Sequence, residues 1–347
     1  MFLASGHEVV PLEEDHEAQM EKEFASLPGG MIRLTPGNWF FPGAFFNYAD
    51  KLYNFQWRMG DVVVMTWPKC GTTWMQEIIW TMRNNPDLNN PLADMSITSR
   101  VPFIDMDMFM LAETLQNPNP DNPLLSDFLK VCPGANPADG VQLQLATVMP
   151  DPRTIKTHIP LSLLHPTILD NSKVVFVARN PRDVIVSLHH HYRIVKSLNF
   201  TGSMDNFVNY FVNDKLLYGP YWLHVQEAWA KRHHPNFHFI FYEDLKADIM
   251  TELNKLNKFL GLNLTKKQLC NVADYTSFNR MAARDKLLGP KTEDNPMFFK
   301  EIVRQDGGFF RKGTVCSWKE KLSPEMVNKI DQWTTKNLRE IPFRYSL

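Results

Sequence analysis

The 347-residue chain is poor in cysteine and carries almost no net charge. Its four cysteines, Cys70, Cys132, Cys270 and Cys316, form no CxxC pair and no zinc-ligand spacing. A disulfide framework is thereby excluded, and a reducing compartment is expected. With 37 basic against 38 acidic residues the net charge is −1. That balance argues against nucleic-acid binding driven by overall charge, while leaving a local basic pocket open. No apolar run reaches the roughly 18 residues of a membrane span. The opening MFLASGHEVVPLEEDHEAQMEKEF is acidic and lacks a basic segment followed by an apolar one, so no signal peptide and a cytoplasmic location are expected. Internal repeats and low-complexity tracts are missing. So is GxxxxGK[ST], the loop that holds a nucleotide triphosphate with magnesium.

What stands instead is DVVVMTWPKCGTTWMQEIIWTM, from Asp61 to Met82. Val62, Val63 and Val64 are β-branched and apolar in a short run, which predicts a buried parallel strand. Pro68 ends it. Lys69 to Thr73 then form a small-residue loop, and Trp74, Ile78 and Met82 follow at helical spacing. A strand, a tight loop and a helix N-terminus direct backbone N–H groups and the positive helix end at one spot, which attracts phosphate or sulfate.

The first 30 residues read as an acidic arm with a short helix around 13–24, and 31–347 as the main domain. Gly37 to Trp57 is dense in aromatics that either pack the core or line an apolar pocket. Residues 105–151 form a Pro- and Met-rich insertion, helical at 105–116 and again at 124–131, of the kind that makes a lid or binding loop. Strand signals recur at 154–158, 173–179 and 237–242. Helical patterns cover 206–217, 222–232, 243–260 and 265–274, and Ser323-Pro324 opens a last helix. Alternating strands and helices predict an α/β single domain with a central parallel β-sheet flanked by helices. Ligands in such sheets sit at the carboxyl ends of the strands, where Lys69, Arg179 and Tyr242 fall.

TWPKCGTTW (Thr66 to Trp74) resembles the 5′-phosphosulfate loop of the cytosolic sulfotransferases, usually written TYPKSGTTW. Other segments similar to that family follow in order: KTHIPL (Lys156 to Leu161), VFVARNPRDVIVS (Val175 to Ser187), FYEDLK (Phe241 to Lys246), YTSFNRM (Tyr275 to Met281) and FFRKG (Phe309 to Gly313). The resemblance implies a P-loop-kinase-like fold and a donor, 3′-phosphoadenosine 5′-phosphosulfate (PAPS), with 3′,5′-ADP as product and no metal. It implies a 5′ end made by Lys69, Cys70, Gly71, Thr72 and Thr73, and a 3′ end made by Arg179, Ser187, Phe310, Arg311, Lys312 and Gly313. Trp74, Tyr242, Thr276, Ser277, Phe278 and Met281 would surround the adenine. Its catalytic groups would be His158 as base, with Lys69 and Lys156 on the sulfuryl and leaving groups. An apolar hydroxyl-bearing acceptor (retinoid, steroid or phenol) would lie against Phe40, Phe41, Phe45, Phe103, Met106, Phe109 and His158.

Three departures stand out. Cys70 replaces the usual serine of the loop, and its thiol is expected to be acidified by Lys69 and the helix N-terminus. RKGTVCSWK has Cys316 where the family has a second glycine, and Ser317 where it has aspartate. The family's dimer motif is degraded in KEKLSPEMVN (Lys319 to Asn328), so a homodimer is left open but not expected by that route. Chain length and the insertion resemble the arthropod retinol dehydratase branch of the family, in which a sulfated allylic alcohol eliminates to a polyene. Outside the family, a P-loop nucleotide kinase or NTPase and a non-catalytic carrier of a lipophilic ligand are the alternatives. His189, His190 and His191 point to different sides of a helix, so no metal site is expected there.

Overall fold

The computed structural model describes every residue except 13–17, 19, 26, 28, 111–122, 285–286, 289–294 and 339–347. Two sheets organise it. A three-stranded antiparallel sheet runs β1 (Glu8–Pro11), β2 (Met31–Thr35), β3 (Trp39–Pro42). A four-stranded, all-parallel sheet holds β4 (Asp61–Thr66), β5 (Thr154–Thr157), β6 (Ser172–Ala178) and β7 (Phe237–Phe241), in the order β5-β4-β6-β7.

Every residue of β4 is buried, because both faces of the parallel sheet are covered. Successive side chains leave on opposite faces. Val63 and Met65 join Ile155 and Phe176 in the larger core, while Val62 and Val64 meet Ile78, Ile79 and Met82 of α1 (Thr72–Asn84). Asp61 and Arg153 fix the register where β4 and β5 begin, with Arg153 Nε donating to Asp61 Oδ1 at 2.9 Å. Both side chains are fully buried. Removing one partner would leave a buried charge uncompensated, at a cost of about 3–5 kcal/mol.

The sheet, β4 to α1 and the last helix, α5 (Pro324–Asn337) capped by Ser323, follow the expected pattern. Other segments differ. The acidic arm is tied down: Val9 pairs with Leu34, and Phe24 packs edge-on to Tyr192 and Tyr210. Of the helix expected at 13–24, residues 13–17 and 19 lie outside the described residues, while 18, 20 and 21 are helical and 22–24 form a turn and bend. The one expected over 243–260 is two, α3 (Tyr242–Ala247) and Ile249–Leu260, because Asp248 caps the second through Thr251 N at 3.0 Å. In the insertion, Met106–Phe109 forms a 3-10 turn flanked by the non-helical Asp105 and Met110, and 111–116 of the expected 105–116 helix lie outside the described residues. The expected helix at 124–131 is present as Pro123–Val131. An unexpected helix, Val141–Val148, follows it, its first N–H groups held by the Asp107 carboxylate (Gln142 N at 3.0 Å, Leu143 N at 3.2 Å).

Candidate active site

Beyond the carboxyl end of the parallel sheet lies a cavity of about 710 Å³. Its floor is the loop after β4. Lys69 sits at φ +68° and Gly71 at φ +98°, so the chain coils before α1 starts at Thr72. Glycine is required at 71: a Cβ there would come within 2.7 Å of the Tyr242 ring. The Thr66 and Thr72 hydroxyls, 2.6 Å apart, tie the strand end to the helix start.

Two ammonium groups lie buried at this floor, and neither is in an ion pair among the described residues. Lys69 Nζ rests 4.1 Å from the Phe309 ring centre, and Lys156 Nζ 3.7 Å from that of Phe103. Burial, then repulsion from Lys156, Arg179 and Arg311, lowers the Lys69 pKa to about 7. Burial likewise lowers Lys156 to about 8, with Asp105 opposing. Cations held at such cost are stabilised by an arriving anion.

His158 faces the same space. Its Nδ1–H donates to the Thr66 carbonyl at 2.8 Å, which fixes the tautomer and leaves Nε2 without its proton. Burial first, then Lys156, pushes its pKa well below the ordinary histidine value, so the ring is neutral near pH 7. Its backbone is held by Asp105, which accepts from His158 N at 3.1 Å and from the Tyr218 hydroxyl at 2.8 Å. His224 Nε2 bonds the His158 carbonyl at 2.9 Å. Burial raises Asp105 to about 6, against the pull of the Tyr218 hydroxyl. Asp105, Tyr218 and His224 were not expected from the sequence. No short spacing relates them to His158, which they meet across 53, 60 and 66 positions.

The far end is basic. Arg179 donates to the carbonyls of Lys69 and Thr314, both at 3.1 Å, and stacks 4.2 Å over the Tyr242 ring. Its Nε is buried without a partner among the described residues. Ser187, on α2 (Pro181–Ile194), and Arg311, Lys312 and Gly313 line the wall beside it; Lys312 also pairs with Glu320. Gly313 is again obligatory, since a Cβ would overlap Phe278 at 2.2 Å. Between the two ends, Trp74, Tyr242, Thr276, Phe278, Met281 and Phe310 make an aromatic slot. Phe278 and Met281 reach it from α4 (Phe278–Ala283).

The expected residues therefore converge, with exceptions. Cys70 is fully buried and absent from the wall, and burial pushes its thiol pKa up, the reverse of the expected acidification. The left-handed turn at Lys69 sends the thiol into the core. Ser277, in the N-cap position of α4, is also off the wall. Phe103, Met106 and Phe109 line the cavity, but Phe40, Phe41 and Phe45 do not. Phe41 stacks on Phe45 at 4.2 Å behind Tyr218, and Phe40 packs beneath the Arg33 guanidinium. Unexpected wall residues include His191, Val195, Phe298 and Phe309.

A family model, the sulfotransferase domain, matches residues 59–342. The chain belongs to the sulfotransferase family. It is 27% identical to luciferin sulfotransferase of Photinus pyralis over 85% of this chain and 76% of that protein. It is 32% identical to sulfotransferase 1A1 of Bos taurus, over 85% and 90%. Among solved structures it resembles retinol dehydratase in a complex with retinol and PAP, with a TM-score of 0.82, 30% identity and 98% of each chain covered. A second retinol dehydratase structure, with androsterone and inactive cofactor PAP, gives 0.83 with the same identity and coverage. Among the described residues, no group of three or more His, Cys, Asp or Glu is placed to hold a metal ion, and no helix is long and apolar enough to cross a membrane.

Cys316 departs from glycine without changing the local backbone. The backbone keeps the left-handed turn at φ +60° that a glycine would adopt freely. Asp183 holds the turn, accepting from Cys316 N at 2.7 Å, Ser317 Oγ at 3.0 Å and Trp318 N at 3.1 Å. A second carboxylate at 317 would face Asp183, and the serine hydroxyl donates to it instead. Cys316→Gly removes the left-handed penalty, so it is expected to stabilise the fold by about 1 kcal/mol in urea denaturation.

Proposed function

We propose that the chain transfers a sulfuryl group from PAPS to the hydroxyl of an apolar small molecule, with His158 as base. When bound, PAPS supplies the sulfuryl group: the acceptor oxygen bonds sulfur as the sulfur–phosphate oxygen bond breaks, and 3′,5′-ADP leaves. Lys69 and the N–H groups of 71–73 hold the 5′ phosphate. Arg179, Ser187, Arg311 and Gly313 hold the 3′ phosphate. The adenine fits the slot between Trp74 and Phe278. The fit rests on this chain's own features: two buried ammonium groups outside any described ion pair, an orphan Arg179 Nε, and two glycines whose Cβ space is taken. Retinol dehydratase structures hold PAP on the same fold.

The observation that carries the reaction is the His158 tautomer. With Nδ1–H committed to the Thr66 carbonyl, Nε2 is the acceptor for the hydroxyl proton. Lys69 and Lys156 offset charge on the leaving oxygen and the sulfuryl group. Transfer of this kind needs positioning and electrostatics more than covalent help from the protein. Phe103, Met106 and Phe109 offer the acceptor an apolar wall, and we take Met106, Phe109, Met110 and Gln142 as the part of the insertion that covers it.

The pKa values give a signed prediction. Lys69 and Lys156 bind an anion while protonated, and their pKa values are lowered to about 7 and about 8 by burial. PAP affinity is therefore expected to fall about tenfold or more from pH 7 to 9, with proton uptake on binding near pH 8, measured by calorimetry in buffers of different ionisation heat.

A second reading, dehydration of an allylic alcohol through its sulfate ester, is favoured by the match to retinol dehydratase over 98% of both chains. One experiment separates the two. Labelled PAPS is offered with retinol, androsterone and 2-naphthol, and ester and eliminated product are scored separately. A stable ester from all three supports transfer alone. An anhydro product with free sulfate from retinol supports the second reading, and no product from any acceptor contradicts both.

A further inference from the structure

Three consecutive histidines on α2 have three different surroundings. His189 packs edge-on against Phe200 and Phe207, at 5.6 and 5.2 Å. His190 Nε2 bonds the Gly308 carbonyl at 3.1 Å. His191 lines the large cavity and meets Phe309 edge-on at 6.0 Å. Phe309 is the ring on which the Lys69 ammonium rests, so His191 stands over the floor of the reaction centre.

The helix sets its depth. Ser187, His191 and Val195 recur every four residues on one face, and all three line the cavity. Each step advances about 6 Å along the axis. Ser187 belongs to the basic 3′ end, whereas Val195 stands beside Leu198 and Phe298 on the apolar wall. His191 therefore occupies the junction between donor and acceptor. Its charge environment agrees: besides burial, Lys69, Lys156, His190 and His158 all disfavour the imidazolium, so the ring is neutral.

The ring is also uncommitted. Its Nδ1 is buried with no hydrogen-bond partner among the described residues. An orphan buried N–H is rarer than an orphan acceptor, so the proton belongs on Nε2, which makes His191 a donor toward the cavity. Unlike His158, it has no partner that orients it as a base.

We infer that His191 is a specificity-determining residue that donates a hydrogen bond to the acceptor's hydroxyl oxygen, holding it between His158 and the sulfuryl group. This rests on the sulfotransferase reading above. His158 takes the hydroxyl proton, and His191 occupies a remaining lone pair of the same oxygen. Because that bond exists before transfer as well as during it, losing it weakens acceptor binding more than it slows chemistry.

The test compares His191→Phe and His191→Gln, with androsterone and 2-naphthol as acceptors and PAP titrated separately. His191→Phe is expected to raise acceptor KM about tenfold, with kcat within about threefold and PAP affinity unchanged. His191→Gln, which keeps an N–H donor, is expected to hold acceptor KM within about threefold of the parent. Unchanged KM in His191→Phe overturns the inference, and so does an equal rise in both variants or a collapse of kcat at constant KM. A parent protein that moves no label from PAPS to any acceptor overturns the sulfotransferase reading itself, a distinct result.

Discussion

His158→Ala is expected to lower kcat for sulfuryl transfer about 10²–10⁴-fold, the usual contribution of a positioned acid–base group, while PAP still binds. The split follows from geometry. His158 is bonded to the Thr66 carbonyl at the end of β4, and its backbone N–H to Asp105 survives the substitution. The groups assigned to the phosphates lie on other segments: the loop after β4, the start and face of α2, and residues 311–313. His158→Gln keeps most of the volume between Phe103 and Tyr218, so it controls for packing loss. Steady-state kinetics with PAP titration reads both effects. Unchanged kcat in either variant would remove His158 from the mechanism.

Lys69→Met is expected to act on both binding and chemistry. The methionine keeps an apolar stem over Phe309 but removes the ammonium. Loss of one preorganised charge donor at a developing anion costs about 10²–10³-fold in kcat. Donor affinity falls as well, because the same charge meets the 5′ phosphate in the ground state. One compensation is expected: with Lys69 gone, the repulsion it shares with Lys156, Arg179 and Arg311 disappears. The protein should therefore fold normally, or slightly more stably, while losing activity. A variant whose activity fell only with its thermal stability would point to a structural role instead.

Much of the fold was legible because its signals are local. The β4 valines, the glycine between a strand and a helix, and the Ser323-Pro324 cap each lie within one short window. The family segments then gave the order in which the site is assembled. What was not legible depended on distant partners or on direction. Nothing near Glu8–Pro11 reveals that it pairs with Met31–Thr35. The aromatic run 37–57 has the composition of either core or pocket, and only the placement of Tyr218 in front of Phe41 and Phe45 decides for core. Cys70 was misread in direction: a helix N-terminus acidifies a thiol that faces it, but this one turns into the apolar interior, where desolvation wins. Asp105 anchors His158 and Tyr218 together, a relation that arises only when the insertion folds back on the sheet.

The central claim is a two-ended donor site used for sulfuryl transfer, and sulfur-labelled PAPS tests it most directly. In EDTA, with an apolar alcohol as acceptor, label is expected to leave PAPS in step with formation of 3′,5′-ADP, at a rate about 10²-fold or more lower in His158→Ala and in Lys69→Met. MgATP turnover without any dependence on PAPS, and no release of label, would contradict it.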